Sequence, residues 1–564
     1  MKLDIKTVPF TYYGSYMAFS YPLGKNEYEK QIVLRNLRGD YNEQEMFPLV
    51  LLDNEGNKIE PEVTAAPEEL RFGKNGKQAG ICFQNAETIC LESNAAIFMT
   101  KSPATNWDRV LDYADGIVEL AGKDGSLFVT MLKGHVLDNS VWNSANDTCT
   151  AVRLMLIPDE KGKLEMALQL SRYPVYVKPQ SGTYQHTLES VSEQYQSFEK
   201  KFMTAEKKYS EAVKLAAYIS WHSVVNPEGH VKYPVMLMTK NKMNRVWSWD
   251  YTFNALALVD KCRDLAYDQY LAMEAMQNEY GAYPDAFQSS ACVWNYVKPP
   301  VQGFMLKKMF AIAMPDRETA VRLYESVAKF TDWWFAVRMM GSETPVYNHG
   351  NDSGWDNSTI FRFGVPVQSP DLCTWLILQM DFLSETAERL GKKKEAAEWR
   401  SRSSRLLQTM LSVFTDGDEL CAILVSSHKK IREQSLLLYV PLLLGNRLPE
   451  NIRSTMLKNL LQKGKFCCDY GISSESLDSK FFVEDGYWRG AVWPPMALIT
   501  TEILVVNGKQ KEAEKNARQY CDMCAKYGFY ENYSAVDGHG LRDTGFTWAA
   551  SVFMILLRDY LKLA

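Results

Sequence analysis

The apolar positions change period once along the chain. Up to about residue 178 they fall in short runs rich in Val, Ile, Leu, Phe and Thr, such as 31–34, 47–52 and 126–130. Turn-forming stretches separate the runs: Asp53-Asn54-Glu55-Gly56, Lys74-Asn75-Gly76, Lys123-Asp124-Gly125 and Glu160-Lys161-Gly162. Many short strands cut by Gly and Asn turns predict an antiparallel β-sandwich. Residues 179–201 are polar and predict a connector, partly helical. Beyond it the apolar spacing approaches 3.6 residues, and with the cap signals it predicts about a dozen helices. These run over 205–225, 250–262, 266–280, 303–314, 318–340, 371–390, 393–414, 434–444, 450–461, 491–507, 510–527 and 546–563.

The links between these helices alternate in character. Gly391-Lys392 and Gly508-Lys509 are brief, whereas 280–302, 340–370, 466–490 and 528–545 are long and full of Trp, Tyr, Asp and Gly. Helical hairpins with tight turns at one end and elaborate loops at the other predict an (α/α)6 toroid whose long-loop end can carry a site. A superhelix of helical repeats would show a recurring period, and none is seen. The expected organisation is a sandwich with its connector over 1–190 and a helical catalytic domain over 191–564.

Composition narrows the function. The 564 residues are 46% hydrophobic and 23% charged, with a net charge of -5, so no nucleic-acid or anionic-membrane surface is implied. No apolar run is long enough to span a bilayer, and the first residues lack the apolar stretch of a secretory leader. The chain is therefore expected in the cytoplasm, with its eleven cysteines reduced. The pair Cys521 and Cys524 lies in a helical pattern with no second pair at zinc spacing, so no metal or cofactor is expected. The 14 Trp and 30 Tyr suit stacking on sugar rings, although large cores also use them.

The densest chemistry is Asn351-Asp352-Ser353-Gly354-Trp355-Asp356-Asn357-Ser358. Its flanks show neither period, so it is a loop. A carboxyl beside an indole is a sensible proton donor, because burial against an apolar ring raises its pKa. A loop that merely caps a helix with Asp and Asn is the competing reading. The other long loops also pair acids or amides with aromatics: Arg245-Val246-Trp247-Ser248-Trp249-Asp250, Lys298-Pro299-Pro300-Val301-Gln302-Gly303, Glu484-Asp485-Gly486-Tyr487-Trp488-Arg489-Gly490 and Tyr530-Glu531-Asn532-Tyr533. That combination suits a polyhydroxylated ligand.

Together, Trp249-Asp250, Lys298-Pro299-Pro300, Asp332-Trp333-Trp334, Ser353-Gly354-Trp355-Asp356-Asn357, Tyr487-Trp488-Arg489-Gly490, Glu531-Asn532-Tyr533 and Gly545-Phe546-Thr547-Trp548 resemble glycoside hydrolase family 63, with the trehalases of family 37 as more distant relatives. The resemblance implies an inverting, exo-acting α-glycosidase, most often releasing glucose. Asp356 falls on the family's general acid and Glu531 on its general base. By the same matching, Trp249, Asp250, Lys298, Gln302, Asp352, Trp355, Trp488 and Arg489 are candidate sugar contacts. Asp352 departs from the pattern, standing where the family often has glutamate, which leaves the substrate's identity open. Inversion needs two carboxyls roughly 6.5–9.5 Å apart, one protonated and one holding a water. Acids on loops of different hairpins meet that requirement more readily than Asp352 and Asp356 on one wall. The expected partner is a small carbohydrate. The rival readings are an inverting phosphorylase on the same toroid, a sugar epimerase, for which paired histidines are missing, and a non-catalytic carbohydrate-binding protein, which would not need both acids.

Overall fold

The computed structural model describes residues 1–21, 31–39, 44–102, 104–173, 175–179 and 183–564; the first part of the connector, 180–182, lies outside them. The chain divides into two compact units. The first comprises Met1–Phe202, Ala217–Asn226 and Thr239–Asn244; the second comprises Met203–Ala216, Pro227–Met238 and Arg245–Ala564.

The first unit is built on two antiparallel sheets. A seven-stranded sheet runs, in spatial order, from Phe10–Thr11 through Met17–Ser20, Ile32–Asn36, Met46–Leu51, Ile97–Thr100 and Arg153–Ile157 to His135–Asp138. An eight-stranded sheet carries Leu164–Ser171 and Thr88–Ser93 at its centre. Alternation places Leu70, Phe72, Ile81, Leu91, Leu127, Val129, Leu168 and Leu170 in the core. The polar connector becomes helix α1 (Tyr184–Glu199), capped by the Thr183 side chain, which accepts from the His186 N–H.

Eleven more α-helices follow: α2 (Ser210–His222), α3 (Asp250–Leu258), α4 (Arg263–Glu274), α5 (Gln302–Ile312), α6 (Arg317–Val337), α7 (Pro370–Arg389), α8 (Lys393–Phe414), α9 (Glu450–Leu461), α10 (Pro494–Val506), α11 (Gln510–Tyr527) and α12 (Thr547–Ile555). Helix α8 shows why the periodicity was informative. It buries Ala396, Trp399, Ser403, Leu406, Met410 and Phe414, three or four residues apart, and exposes its charges. Prolines at the first positions of α7 and α10 fix where each begins. The tight links end α7 and α10 at Gly391 and Gly508, whose φ of +82° and +71° would strain any other residue.

Two expectations change. Residues 436–447 form 3-10 turns rather than an α-helix, because Pro441 removes a donor and Gly445 adopts φ 54°, ψ −125°. The last helix ends at Ile555 and passes into a π-turn over 556–560. Short hairpins occupy 415–431, where strands of two or three residues leave no readable period. The eleven cysteines are all free thiols; Cys521 and Cys524 are buried in α11, and the Cys524 Sγ meets the Tyr533 hydroxyl at 3.4 Å. No helix among the described residues is long and apolar enough to cross a membrane.

Candidate active site

Four segments of the second unit bring acids together: the start of α3, the loop before α5, the 350–361 loop before α7 and the Tyr530–Tyr533 strand before α12. The 350–361 loop is shaped from within. Gly354 takes φ +73°, and a Cβ there would lie 2.7 Å from the Trp249 ring; a Cβ on Gly350 would lie 2.1 Å from the Asp356 carbonyl. His349 caps the turn, its Nδ1 accepting from the Asn351 N–H at 3.1 Å. Asn357 ties the loop to the next one: its Nδ2 donates to the Gly486 carbonyl at 3.0 Å, and its Oδ1 accepts from the Trp488 N–H at 2.9 Å.

Asp352, an expected sugar contact, braces this loop. It is 1% exposed, and its oxygens accept from the Val297 N–H at 3.1 Å, the Asn348 N–H at 2.9 Å and the Arg338 guanidinium at 2.9 Å. Three of the carboxylate's roughly four acceptor sites are thus taken. Other expected contacts are likewise committed to the scaffold. Trp488 is stacked on Trp493 with centroids 3.7 Å apart and lies 4.5 Å from Trp355. Trp249 is buried edge-on to Trp548 at 6.0 Å, and Gln302 is buried with its Nε2 donating to the Ser248 carbonyl at 2.7 Å. The Gln302 Oε1 is buried without a hydrogen-bond partner.

Asp250, Lys298, Asp356 and Glu531 do converge. The buried Lys298 ammonium pairs with Asp285 at 3.1 Å, donates to the Asn351 carbonyl at 2.9 Å, and is held protonated by the charges of Asp285, Asp356 and Asp250. Burial pushes the Asp250 carboxyl up to about 8, with Lys298 opposing the shift. Burial also raises Asp356, again against Lys298. Glu531, 7% exposed, is pushed up to about 7 by burial, while the Tyr487 hydroxyl, donating to its Oε1 at 3.0 Å, holds it lower than burial alone would. These are the environments that keep a carboxyl protonated, or poised, near neutral pH.

Tyr487 is the residue that the sequence reading passed over. Its hydroxyl is pushed up first by burial and then by Glu531, Asp356 and Asp250 together, which places it among all three acids. Its φ is +63°, a left-handed conformation that a tyrosine adopts at a cost of about 1–3 kcal/mol. The Trp493 indole N–H secures it by donating to the Tyr487 carbonyl at 3.2 Å. The sequence signal was the dense Tyr487-Trp488-Arg489-Gly490 run, but which of its aromatics faced the acids was not readable.

On another side, Asp356 lines a cavity of about 500 Å³ together with His349, Thr359, Arg362, Phe481 and Arg489. The Arg489 Nε is buried there without a hydrogen-bond partner, whereas Arg362 pairs with Glu433 at 2.8 Å. Arg542, the cation in the loop of Glu531, pairs with Asp485 at 2.7 Å. Among the described residues, Glu484, Asp537 and His539 bring potential ligand atoms within 4.8 Å of one another. Asp537 and His539 already pair with each other, and Glu484 accepts from the Ser534 hydroxyl at 2.6 Å.

Residues 243–549 match the family model for the mannosylglycerate hydrolase MGH1-like glycoside hydrolase domain, more than half of the chain. The chain belongs to this family. Solved structures agree on the fold. The family 63 mannosylglycerate hydrolase from Thermus thermophilus, in complex with glucose, is similar at a TM-score of 0.53 and 18% identity, over 61% of this chain and 98% of that one. A bacterial glucoamylase complexed with acarbose is similar at a TM-score of 0.66 and 10% identity, over 99% of this chain and 94% of that one. The neutral trehalase Nth1 of Saccharomyces cerevisiae reaches 0.50 and 15%, over 58% and 73%. No curated protein sequence matches the chain. The fold is thus an antiparallel β-sandwich followed by a glucoamylase-like (α/α)6 toroid, and the chain is a glycoside hydrolase by family.

Proposed function

We propose that this hydrolase cleaves an α-linked glycoside with inversion, Asp356 protonating the leaving oxygen and Glu531 taking a proton from the attacking water. One observation carries the reading: two carboxyls on separate loops, both raised by burial, share the Tyr487 hydroxyl as a neighbour. Asp356, on the cavity wall, suits protonation of the departing group. Glu531 accepts from the Tyr487 hydroxyl and the Asp543 backbone N–H, and its remaining acceptor capacity would hold the water. Asp250 and Lys298 are proposed sugar contacts, Asp250 carrying a proton at neutral pH and so able to donate to a hydroxyl. The sugar is proposed to be glucose, with a cytoplasmic role.

A second substrate reading has its own support. Arg489 beside Asp356 offers a guanidinium where the leaving group would sit, which favours a small aglycone bearing a carboxylate. The family model and the Thermus relative are both described as mannosylglycerate hydrolases, in keeping with that chemistry. Assaying release of sugar from α-glucosides and from glucosyl- and mannosylglycerate separates the two readings. A phosphorylase would need an anion site beside the base, yet Arg542 is neutralised there by Asp485. Turnover that depended on added phosphate would overturn hydrolysis.

The base sets the acidic limb of the pH profile. Glu531 must be ionised, so kcat/KM is expected to fall as pH drops below about 7. Tyr487 stabilises the charged form, so Tyr487→Phe is expected to move that limb to higher pH. A pH–rate profile of the variant with an unmoved limb would remove Tyr487 from this role.

A further inference from the structure

We propose that Glu475 is a positioning residue that fixes the cavity wall beside Asp356, holding the end of the acid's loop and the setting of Arg489; this rests on the hydrolase reading above. Glu475 is fully buried, and the sequence reading gave it no role. Its Oε2 accepts from the Thr359 hydroxyl at 2.8 Å, and its Oε1 accepts from the Ser479 hydroxyl at 2.6 Å. Thr359 lies three residues beyond Asp356 and lines the same cavity.

The flanking serines extend this fastening. Ser358 and Ser435 share a hydroxyl hydrogen bond of 2.8 Å, and Ser435 forms a bridge with Glu475. Ser474 accepts through Oγ from the Gly490 N–H at 3.0 Å and donates its own N–H to the Ala491 carbonyl at 3.0 Å. The 473–476 segment therefore backs both the acid's loop and the residues following Arg489.

A buried carboxyl is a costly way to fill space, and an apolar side chain would pack there at less expense. What charge adds is direction. An ionised carboxylate only accepts, so Thr359 must donate inward and present its lone pairs elsewhere. Burial raises the carboxyl to about 7, the Ser479 and Thr359 hydroxyls favour its charged form, and Glu433 and Arg489 act in opposite, smaller senses. The groups facing Glu475 are thus Thr359, Ser479, Glu433 and Arg489, and its two hydrogen bonds tie the end of the acid's loop to the 473–479 segment.

The test compares two probes on the wild type, Glu475→Gln and Thr359→Val. A p-nitrophenyl α-glycoside places an aglycone against this wall, whereas the matching α-glycosyl fluoride leaves it nearly empty. Both variants are expected to raise KM for the nitrophenyl substrate by roughly tenfold and to leave kcat/KM for the fluoride within about twofold. Equal losses on both substrates, or no loss on either, would overturn the positioning role. Thr359→Val keeps the carboxyl and the side-chain shape, so it decides the matter should Glu475→Gln fold poorly. A wild type inert on every α-glycoside would overturn the hydrolase reading, and this role with it.

Discussion

Substituting Asp356 by Asn is expected to lower turnover of a natural-type α-glycoside by at least about a hundredfold, the usual scale of a lost general acid. Asparagine is close in shape but has no proton to give. The fold should survive, because the bracing of the loop belongs to Asp352 and Asn357, whose hydrogen bonds the substitution does not touch. The defect should depend on the leaving group. A glycosyl fluoride departs without full protonation, so the variant should recover much of its rate on that substrate. Steady-state assays on both substrates, with a melting curve alongside, check each point. Near-normal turnover of the natural-type glycoside would remove Asp356 as the acid.

Glu531→Gln is expected to cost at least about as much, but with a different signature. The glutamine carbonyl can still accept from Tyr487, so the local structure is kept. Its amide cannot take a proton from water, and no improvement in the leaving group makes up for that. The loss should therefore be similar on the fluoride and the natural-type glycoside. If the fluoride rescued this variant as well as Asp356→Asn, the division of labour between the two acids would be wrong.

How much of this could be read from the chain follows physical lines. Long amphipathic helices were legible because burial repeats every turn: 393–414 and 510–527 coincide with α8 and α11. The leucine-rich stretch after 434 carried the same period, yet Pro441 and Gly445 turned it into 3-10 turns, an effect of backbone chemistry that apolar spacing does not report. The loops bearing Asp356, Glu531 and Arg489 were legible as dense acid-and-aromatic runs. What each side chain is committed to was not. Asp352 is consumed by Val297, Asn348 and Arg338, and Trp488 by Trp493 and Trp355, partners supplied by other segments. Glu475 left a faint trace, a lone acid within Ser473-Ser474-Glu475-Ser476, where hydroxyls can satisfy a buried carboxylate.

These commitments leave few residues open on the proposed site. Most of the aromatic cluster packs on itself, leaving Asp250, Lys298 and Tyr487 around the acids and Arg489 with Thr359 on the cavity side. On the proposed reading, the acids serve any α-linked sugar and Arg489 selects the leaving group.

The central claim, single displacement with Asp356 and Glu531 as acid and base, is tested most directly by the stereochemistry of the first turnovers. A proton NMR time course on an α-linked substrate, recorded before the released sugar mutarotates, should show the β-anomer appearing first. The α-anomer appearing first would contradict inversion and the roles assigned to both carboxyls.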